Sequence, residues 1–487
     1  MRARIVSFII SLITVVPWCG FADTFHELTI AELQTKRAKN ELSYEQLTAF
    51  YLERIARIDP KLNSVISLNP NALQEAKQRD TAFNAGRASG MLFGVPVLIK
   101  DNIDVAGMVT TAGAKALQRN LVTQDAPLVA KLKAEGAIIL GKTNLSEWAN
   151  FKTLKSSSGY SEIGGQTKNP YNTAFTPCGS SSGSAVAVSA NLTLVAIGTE
   201  TDGSILCPSS FNGIVGFKPT LSKISQQGIV PIAHSQDTAG PMARTVDDAV
   251  LVYSAITGDI APSLMPKLAL AGKTLGLLTA MQDFYAPHQT ALIKSLDAFA
   301  VRGVKILKHL PFNNMDKLFA AEFEILLYEF NQDVSQYLRN TNQDVVVKSL
   351  KDLVAFNQLR GDTRQDLLES ALNTTDKDKY AEAKALINEY ALEQLKALKL
   401  KYKIDVFVAP TTASAWPINL QEGDNYTGSS TWLAAMIGAP AITVPLQSID
   451  GIPSGLTFFA LPGEDDKVLA FAREFEQMTQ ARVAPKL

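Results

Sequence analysis

Short apolar runs alternating with stretches of helical period constrain this chain more than any other feature. From Met91 onward the runs are Pro96–Lys100, Ala137–Leu140, Val195–Gly198, Thr274–Leu278, Val304–Leu307, Val406–Ala409, Ala441–Pro445 and Gly455–Phe459. Each is short enough for a strand, and their alternation with helical patterns predicts an α/β protein, a mixed sheet with helices on both faces. Residues 23–90 read as a helical lead-in. Thr29 with Glu32, and Ser43 with Gln46, have the spacing of capping boxes, and Leu47, Phe50, Tyr51, Leu52 and Ile55 recur at helical period. Residues 283–403 read as mostly helical, charge-rich and without recognisable chemistry. Val468, Phe471, Ala472 and Phe475 mark a last amphipathic helix. A chain of 487 residues exceeds the usual size of a single core, so length alone predicts two or three domains.

Chemistry concentrates in three segments between residues 91 and 260. GTETDGS, from Gly198 to Ser204, places Ser204 on a glycine-bearing turn where successive backbone N–H groups converge. Acyl transfer needs that geometry, because the tetrahedral intermediate puts negative charge on an oxygen that fixed donors stabilise. CGSSSGS runs from Cys178 to Ser184, and GVPVLIKDNID from Gly94 to Asp104. In the last of these, Lys100 ends an apolar run and is placed for burial at a strand terminus. Desolvation disfavours the charged form of such an amine. The residues alone equally admit a structural lysine paired with Asp101 or Asp104.

With these three segments in this order, the chain resembles the amidase signature family of serine hydrolases from about residue 30 almost to its end. The extended forms GTETDGS and HSQDTAGPMART (His234 to Thr245) are most similar to its bacterial peptide amidase branch. The resemblance implies one large α/β/α domain over residues 23–487, against the expectation from length. It also implies hydrolysis of an amide C–N bond by a Ser–Ser–Lys triad. In that reading Lys100 is the base, Ser180 relays the proton from within a cis peptide, and Ser204 attacks the carbonyl. The oxyanion hole is carried over as the backbone N–H groups of Thr201, Asp202, Gly203 and Ser204. Ser181 supports the loop, with Thr199 behind it. Asp202 departs from the commonest family pattern, which has glycine there. Its carboxylate either turns away from the hole, meets a leaving amine, or caps the following turn. Peptide C-terminal amides are the first expected substrates and small amides the next, with Trp148 to Tyr160 and the helices after Asp283 as candidate walls.

Two other strings match known motifs. Gly136 to Thr143 fits GxxxxGK[ST], but its middle is an apolar strand whose N–H groups belong to a ladder, which excludes phosphate binding. Gly179 to Gly183 fits GxSxG, the elbow of Ser–His–Asp hydrolases, with Ser181 as nucleophile. That motif follows a strand and precedes a catalytic histidine. Asn169 to Pro177 is polar with two prolines, and none of His26, His234, His288 and His309 sits in a context suited to a base. The histidines and cysteines lack metal-ligand spacing and there is no dinucleotide fingerprint, so no metal or cofactor is expected. A formal net charge of −1, with acids and bases interspersed, argues against a nucleic-acid partner. The sequence carries no signal of oligomeric state.

Arg2 and Arg4, the apolar run Ile5–Val16 and the small residues ending at Ala22 form a signal peptide pattern with cleavage after Ala22. The run is too short to span a bilayer, so no stable membrane insertion is expected and the predicted location is periplasmic or secreted. Cys19 raises a lipoprotein reading, which Pro17-Trp18 before it disfavours. Cys178 and Cys207 then remain, and the sequence reading favours buried free thiols over a bridge. Two further functions compete with an exported amidase. One is the glutaminase subunit of a tRNA-dependent amidotransferase, which the signal segment opposes. The other is a silent amide-binding protein, which the joint presence of Lys100, Ser180 and Ser204 opposes.

Overall fold

The computed structural model describes residues 25–259, 267–281 and 289–487. The predicted signal segment therefore lies outside the described residues. Both predicted capping boxes form, at Thr29 for the helix Ile30–Ala38 and at Ser43 for Tyr44–Ile58. In each, the hydroxyl accepts an otherwise unpaired N–H of the first turn, while the third residue's side chain reaches back.

The strands are β1 (Val65–Leu68), β2 (Pro96–Lys100), β3 (Ile138–Thr143), β4 (Tyr160–Ser161), β5 (Gly165–Gln166), β6 (Val195–Glu200), β7 (Val215–Lys218), β8 (Thr238–Ala243), β9 (Thr274–Leu278), β10 (Lys305–Leu310), β11 (Val406–Pro410), β12 (Ala441–Ile449) and β13 (Ile452–Phe459). β4 and β5 form a small hairpin; the rest make one 11-stranded sheet in the order β1-β3-β2-β6-β8-β7-β12-β13-β11-β9-β10. β3, β2 and β6 run parallel, β6 and β8 antiparallel, and β9 is parallel to both β10 and β11. The sheet is therefore mixed, and it joins segments from residue 65 to residue 459 in one core. All eight predicted strands lie in it. The length-based expectation of several domains gives way to a single α/β/α domain, because the last strands, β12 and β13, are hydrogen-bonded into the middle of the sheet.

A helix of small residues, Ser182–Ser189, is buried along its whole length inside this architecture. Its small side chains let it sit directly against backbone. A Cβ on Gly183 would lie 2.2 Å from Ser64 O and 2.5 Å from Asn144 O, so glycine is required there by close approach. This contact fixes the helix start, and with it the loop carrying Ser180 and Ser181. A second apolar cluster caps that region. Phe330, Val334, Leu350 and Leu368, from helices within Met315–Arg339, Leu350–Leu359 and Asp366–Asn373, pack with Trp148, Phe151 and Ile232.

Candidate active site

β2 and β6 are parallel neighbours, so their carboxyl ends open on the same side, where ligands collect in open α/β sheets. Lys100 is the last residue of β2, and the Ser204 turn follows the end of β6. Lys100 is fully buried behind Val97, Leu98 and Ile99. Burial pushes its ammonium well below the ordinary lysine range, against the opposing pull of Asp237 and Glu200. Neither candidate ion-pair partner reaches it. Asp101 pairs with Lys142 at 2.9 Å, and Asp104 accepts from Tyr337 Oη at 3.0 Å.

The amine is ringed instead by neutral oxygens. As an ammonium, Nζ donates to Ser180 Oγ (2.7 Å), Thr199 Oγ1 (2.8 Å) and Thr199 O (3.2 Å). A neutral amine has two N–H donors and one lone pair. With both donors on Thr199, the lone pair faces Ser180, and the 2.7 Å contact becomes Ser180 O–H donating to nitrogen. Thr199 thus touches the lysine directly, closer than the second layer its sequence position suggested. The Gly179–Ser180 peptide is cis. Ser181 is fully buried; its hydroxyl donates to Thr199 O (2.9 Å) and accepts from Thr199 N–H (3.2 Å), while its own N–H donates to Ser204 O (3.1 Å). Ser181 therefore ties the two serine loops together from behind, through its hydroxyl to Thr199 and its N–H to Ser204.

Four consecutive donors surround Ser204. Among the described residues, the N–H groups of Thr201, Asp202 and Ser204 have no protein hydrogen-bond acceptor, while the Gly203 N–H points toward the Glu200 carboxyl and helps lower it against burial. Gly203 takes φ +75°, which glycine adopts without strain, and a Cβ there would sit 3.0 Å from Thr431 Oγ1. The turn is pinned at both ends. Glu200 accepts Ile205 N–H (2.7 Å) and Leu206 N–H (2.9 Å), and Asp237 accepts Thr201 Oγ1 (2.5 Å). Unpaired N–H groups on a pinned turn are fixed donors for an oxyanion.

These groups line a cavity of about 360 Å³, with Gly179, Thr201, Asp202, Gly203 and Ser204 at its floor. Phe151, Leu154, Leu326, Leu367 and Trp416 supply apolar walls. Both predicted wall regions contribute, residues 148–160 directly and the later helices through Leu326 and Leu367. Asp202 belongs to the residues lining the cavity, and its carboxylate accepts from Thr431 Oγ1 at 2.6 Å. Burial, reinforced by the nearby Glu200 charge, pushes it up to about 7. Glu200, Asp237, Thr431 and Tyr426 had no assigned role in the sequence reading. Glu200 and Asp237 sit inside the quoted GTETDGS and HSQDTAGPMART segments, whereas Thr431 and Tyr426 carry no local signal.

The free-thiol expectation for Cys178 and Cys207 is overturned, because the two form a disulfide with Cα atoms 5.9 Å apart. The Ser180 and Ser204 loops converge on one cavity, and this brings together cysteines separated by 29 residues. The bridge links the loop two residues before Ser180 to the helix start three residues after Ser204. Closing a loop of this size restricts the unfolded chain, so replacing both cysteines by alanine is expected to cost about 2–4 kcal/mol of stability. Urea unfolding with and without reductant measures this: reductant should bring the native protein down to the double variant, and a native protein indifferent to reductant would refute it.

The Amidase family model matches residues 46–469 of this chain. The structure is similar to that of the native peptide amidase of Stenotrophomonas maltophilia, with 41% identity and a TM-score of 0.88 over 95% of this chain and 99% of that one. A probable amidase of Arabidopsis thaliana is 33% identical over 95% of this chain and 92% of its own length. A glutamyl-tRNA(Gln) amidotransferase component from Pseudomonas fluorescens is 30% identical over 93% of this chain and 98% of its own length.

Proposed function

From its membership of the amidase signature family, to which this chain belongs as an amide-hydrolysing enzyme, we propose an exported amidase acting on C-terminal amides of peptides through an acyl-enzyme at Ser204. The observation that carries this reading is the 2.7 Å contact between Lys100 Nζ and Ser180 Oγ behind a cavity floored by Ser204 and the backbone N–H groups of its turn. A serine hydroxyl must lose its proton as it attacks. Neutral Lys100 draws the Ser180 proton, and Ser180 in turn takes that of Ser204. The Thr201–Ser204 donors receive the charge that builds on the carbonyl oxygen. When the C–N bond breaks, the proton returns through Ser180 to the departing nitrogen. Water then repeats the sequence in the other direction and frees Ser204.

The peptide preference is supported by the peptide amidase likeness and by the shape of the cleft. A second cavity of about 400 Å³ adjoins the first across Asn150, Thr153 and Ser156, leaving room for residues upstream of the amide. Export is supported by the N-terminal pattern and by the Cys178–Cys207 disulfide, since such bonds persist in oxidising compartments. The same two features weigh against a glutaminase subunit working in the cytoplasm. No helix among the described residues is long and apolar enough to cross a membrane.

Ammonia release should be measured over a panel of peptide amides, small aliphatic and aryl amides, and glutamine. Peptide amides should be turned over with the highest kcat/KM. Turnover of glutamine alone would support the amidotransferase reading, and absence of all turnover would remove the enzyme reading. Cell fractionation should place the protein outside the cytoplasm.

A further inference from the structure

The carboxylate of Asp202 raises a question that the triad leaves unanswered. A negative group two residues before the nucleophile, on the same turn as the oxyanion donors, opposes the charge that develops there. Its surroundings hold it in place nonetheless. Tyr426 Oη donates to Ser429 Oγ, Ser429 Oγ lies 2.9 Å from Thr431 Oγ1, and Thr431 Oγ1 donates to Asp202 Oδ1 at 2.6 Å. All four side chains belong to residues lining the Ser204 cavity, and Thr431 packs directly on Gly203.

The end of this chain fixes its direction. An ionised carboxylate only accepts, so in the form that prevails above about 7 Thr431 donates to Asp202, Ser429 donates to Thr431, and Tyr426 donates to Ser429. Burial, with the Asp202 charge acting the same way, raises the Tyr426 phenol well above its usual range and keeps its proton on. Every hydroxyl hydrogen in the chain is consumed within it. This wall of the cavity therefore offers lone pairs and negative charge, with no hydroxyl hydrogen left to donate.

A reacting amide presents two sides to this turn. Its oxygen becomes anionic and needs donors, which the Thr201–Ser204 backbone supplies. Its nitrogen becomes pyramidal, takes a proton and leaves carrying only N–H bonds when the amide is unsubstituted. An acceptor wall complements that nitrogen, which carries three N–H bonds as it leaves. An ester oxygen has lone pairs that the carboxylate repels. A secondary amide has fewer N–H bonds to offer that wall and carries a substituent on its nitrogen.

We propose that Asp202, held by the Tyr426–Ser429–Thr431 chain, is the residue that selects unsubstituted carboxamides, its carboxylate accepting N–H from the departing nitrogen. The proposal rests on the amidase reading above. The atoms balance as they do in the triad: the Ser204 O–C bond forms, the C–N bond breaks, the Ser204 proton ends on nitrogen by way of Ser180, and ammonia leaves. Asp202 accepts a hydrogen bond and takes no proton.

The test compares one acyl group presented as primary amide, N-methylamide and p-nitrophenyl ester to the wild type, Asp202→Asn, Asp202→Gly and Thr431→Val. Ratios of kcat/KM are read, with fluorophosphonate labelling of Ser204 used to count intact sites. Losing a hydrogen bond to a charged group should lower the amide-to-ester ratio by about 10- to 100-fold in both Asp202 variants. The primary-to-N-methylamide ratio should fall in the same direction. Thr431→Val breaks the chain without altering the turn and should lower both ratios by a smaller factor, which decides the matter if the Asp202 variants do not label. Amide and ester rates falling in parallel, with both ratios kept, would overturn the proposal and make Asp202 a structural part of the turn. A wild type that labels but releases no ammonia from any amide would instead refute the amidase reading itself.

Discussion

Lys100→Arg is expected to be as inactive as Lys100→Ala, each losing about 10²- to 10⁴-fold or more in kcat, the range assigned to a positioned acid–base group. A guanidinium keeps its charge at any working pH and cannot accept the Ser180 proton. The buried amine can, because desolvation pushes Lys100 well below its usual 10.5. Activity should rise with pH through the depressed Lys100 value and level off above it, since the neutral amine is the competent form. The same shift ties the residue to stability. Between the folded value and 10.5 the unfolded chain holds one proton more than the folded chain, so this group makes stability rise with pH across that window. Below the folded value the full cost of burying it is present. Lys100→Met should therefore be inactive yet more stable than wild type near neutral pH, with a flatter pH dependence of its urea midpoint. An active Lys100→Arg protein with an unchanged pH profile would show that Lys100 is only a structural cation.

The fold was legible where strands are buried on both faces. β2, β3 and β6 lie in the parallel part of the sheet, and such strands read as continuous apolar runs. β7 and β8 went unread because Val215–Lys218 and Thr238–Ala243 are interrupted by glycine and proline and take their strand geometry from neighbours. β1 went unread because it is only four residues long, with Ser67 interrupting the apolar Val65, Ile66 and Leu68. The GxxxxGK[ST] string is the converse case. Its letters match a phosphate loop, yet Ile138–Thr143 is a buried strand, and Lys142 is paired with Asp101. In the site, Lys100, Ser180 and Ser204 stand in local segments that any reading encounters. Thr431 does not: it meets Asp202 across 229 residues, with no periodicity to announce the contact. The cysteines failed for the same reason. Spacing in the chain says nothing about two loops meeting over one cavity, and only the assembled sheet sets Cys178 against Cys207.

Which serine attacks is the sharpest remaining contrast. Ser204→Ala should abolish covalent labelling and reduce turnover by roughly four to six orders of magnitude, the scale on which removal of a nucleophile acts. Its stability should be nearly unchanged, because the hydroxyl opens on the cavity and the turn is held by Glu200 and Asp237. Ser181→Ala should behave in the opposite way. That hydroxyl is fully buried and satisfied by Thr199 on both sides, so it has no access to a substrate carbonyl. Its removal leaves the Thr199 N–H without that acceptor and should cost about 1–3 kcal/mol of stability, the penalty for a buried polar group left unpaired. Turnover should drop moderately, because Thr199 also holds the Lys100 amine, but labelling at Ser204 should persist. Fluorophosphonate labelling and urea unfolding on the two variants separate these outcomes. A Ser181→Ala protein that no longer labels, beside a Ser204→Ala protein that still forms an acyl-enzyme, would transfer the nucleophile to the GxSxG string and remove the Lys100 mechanism with it.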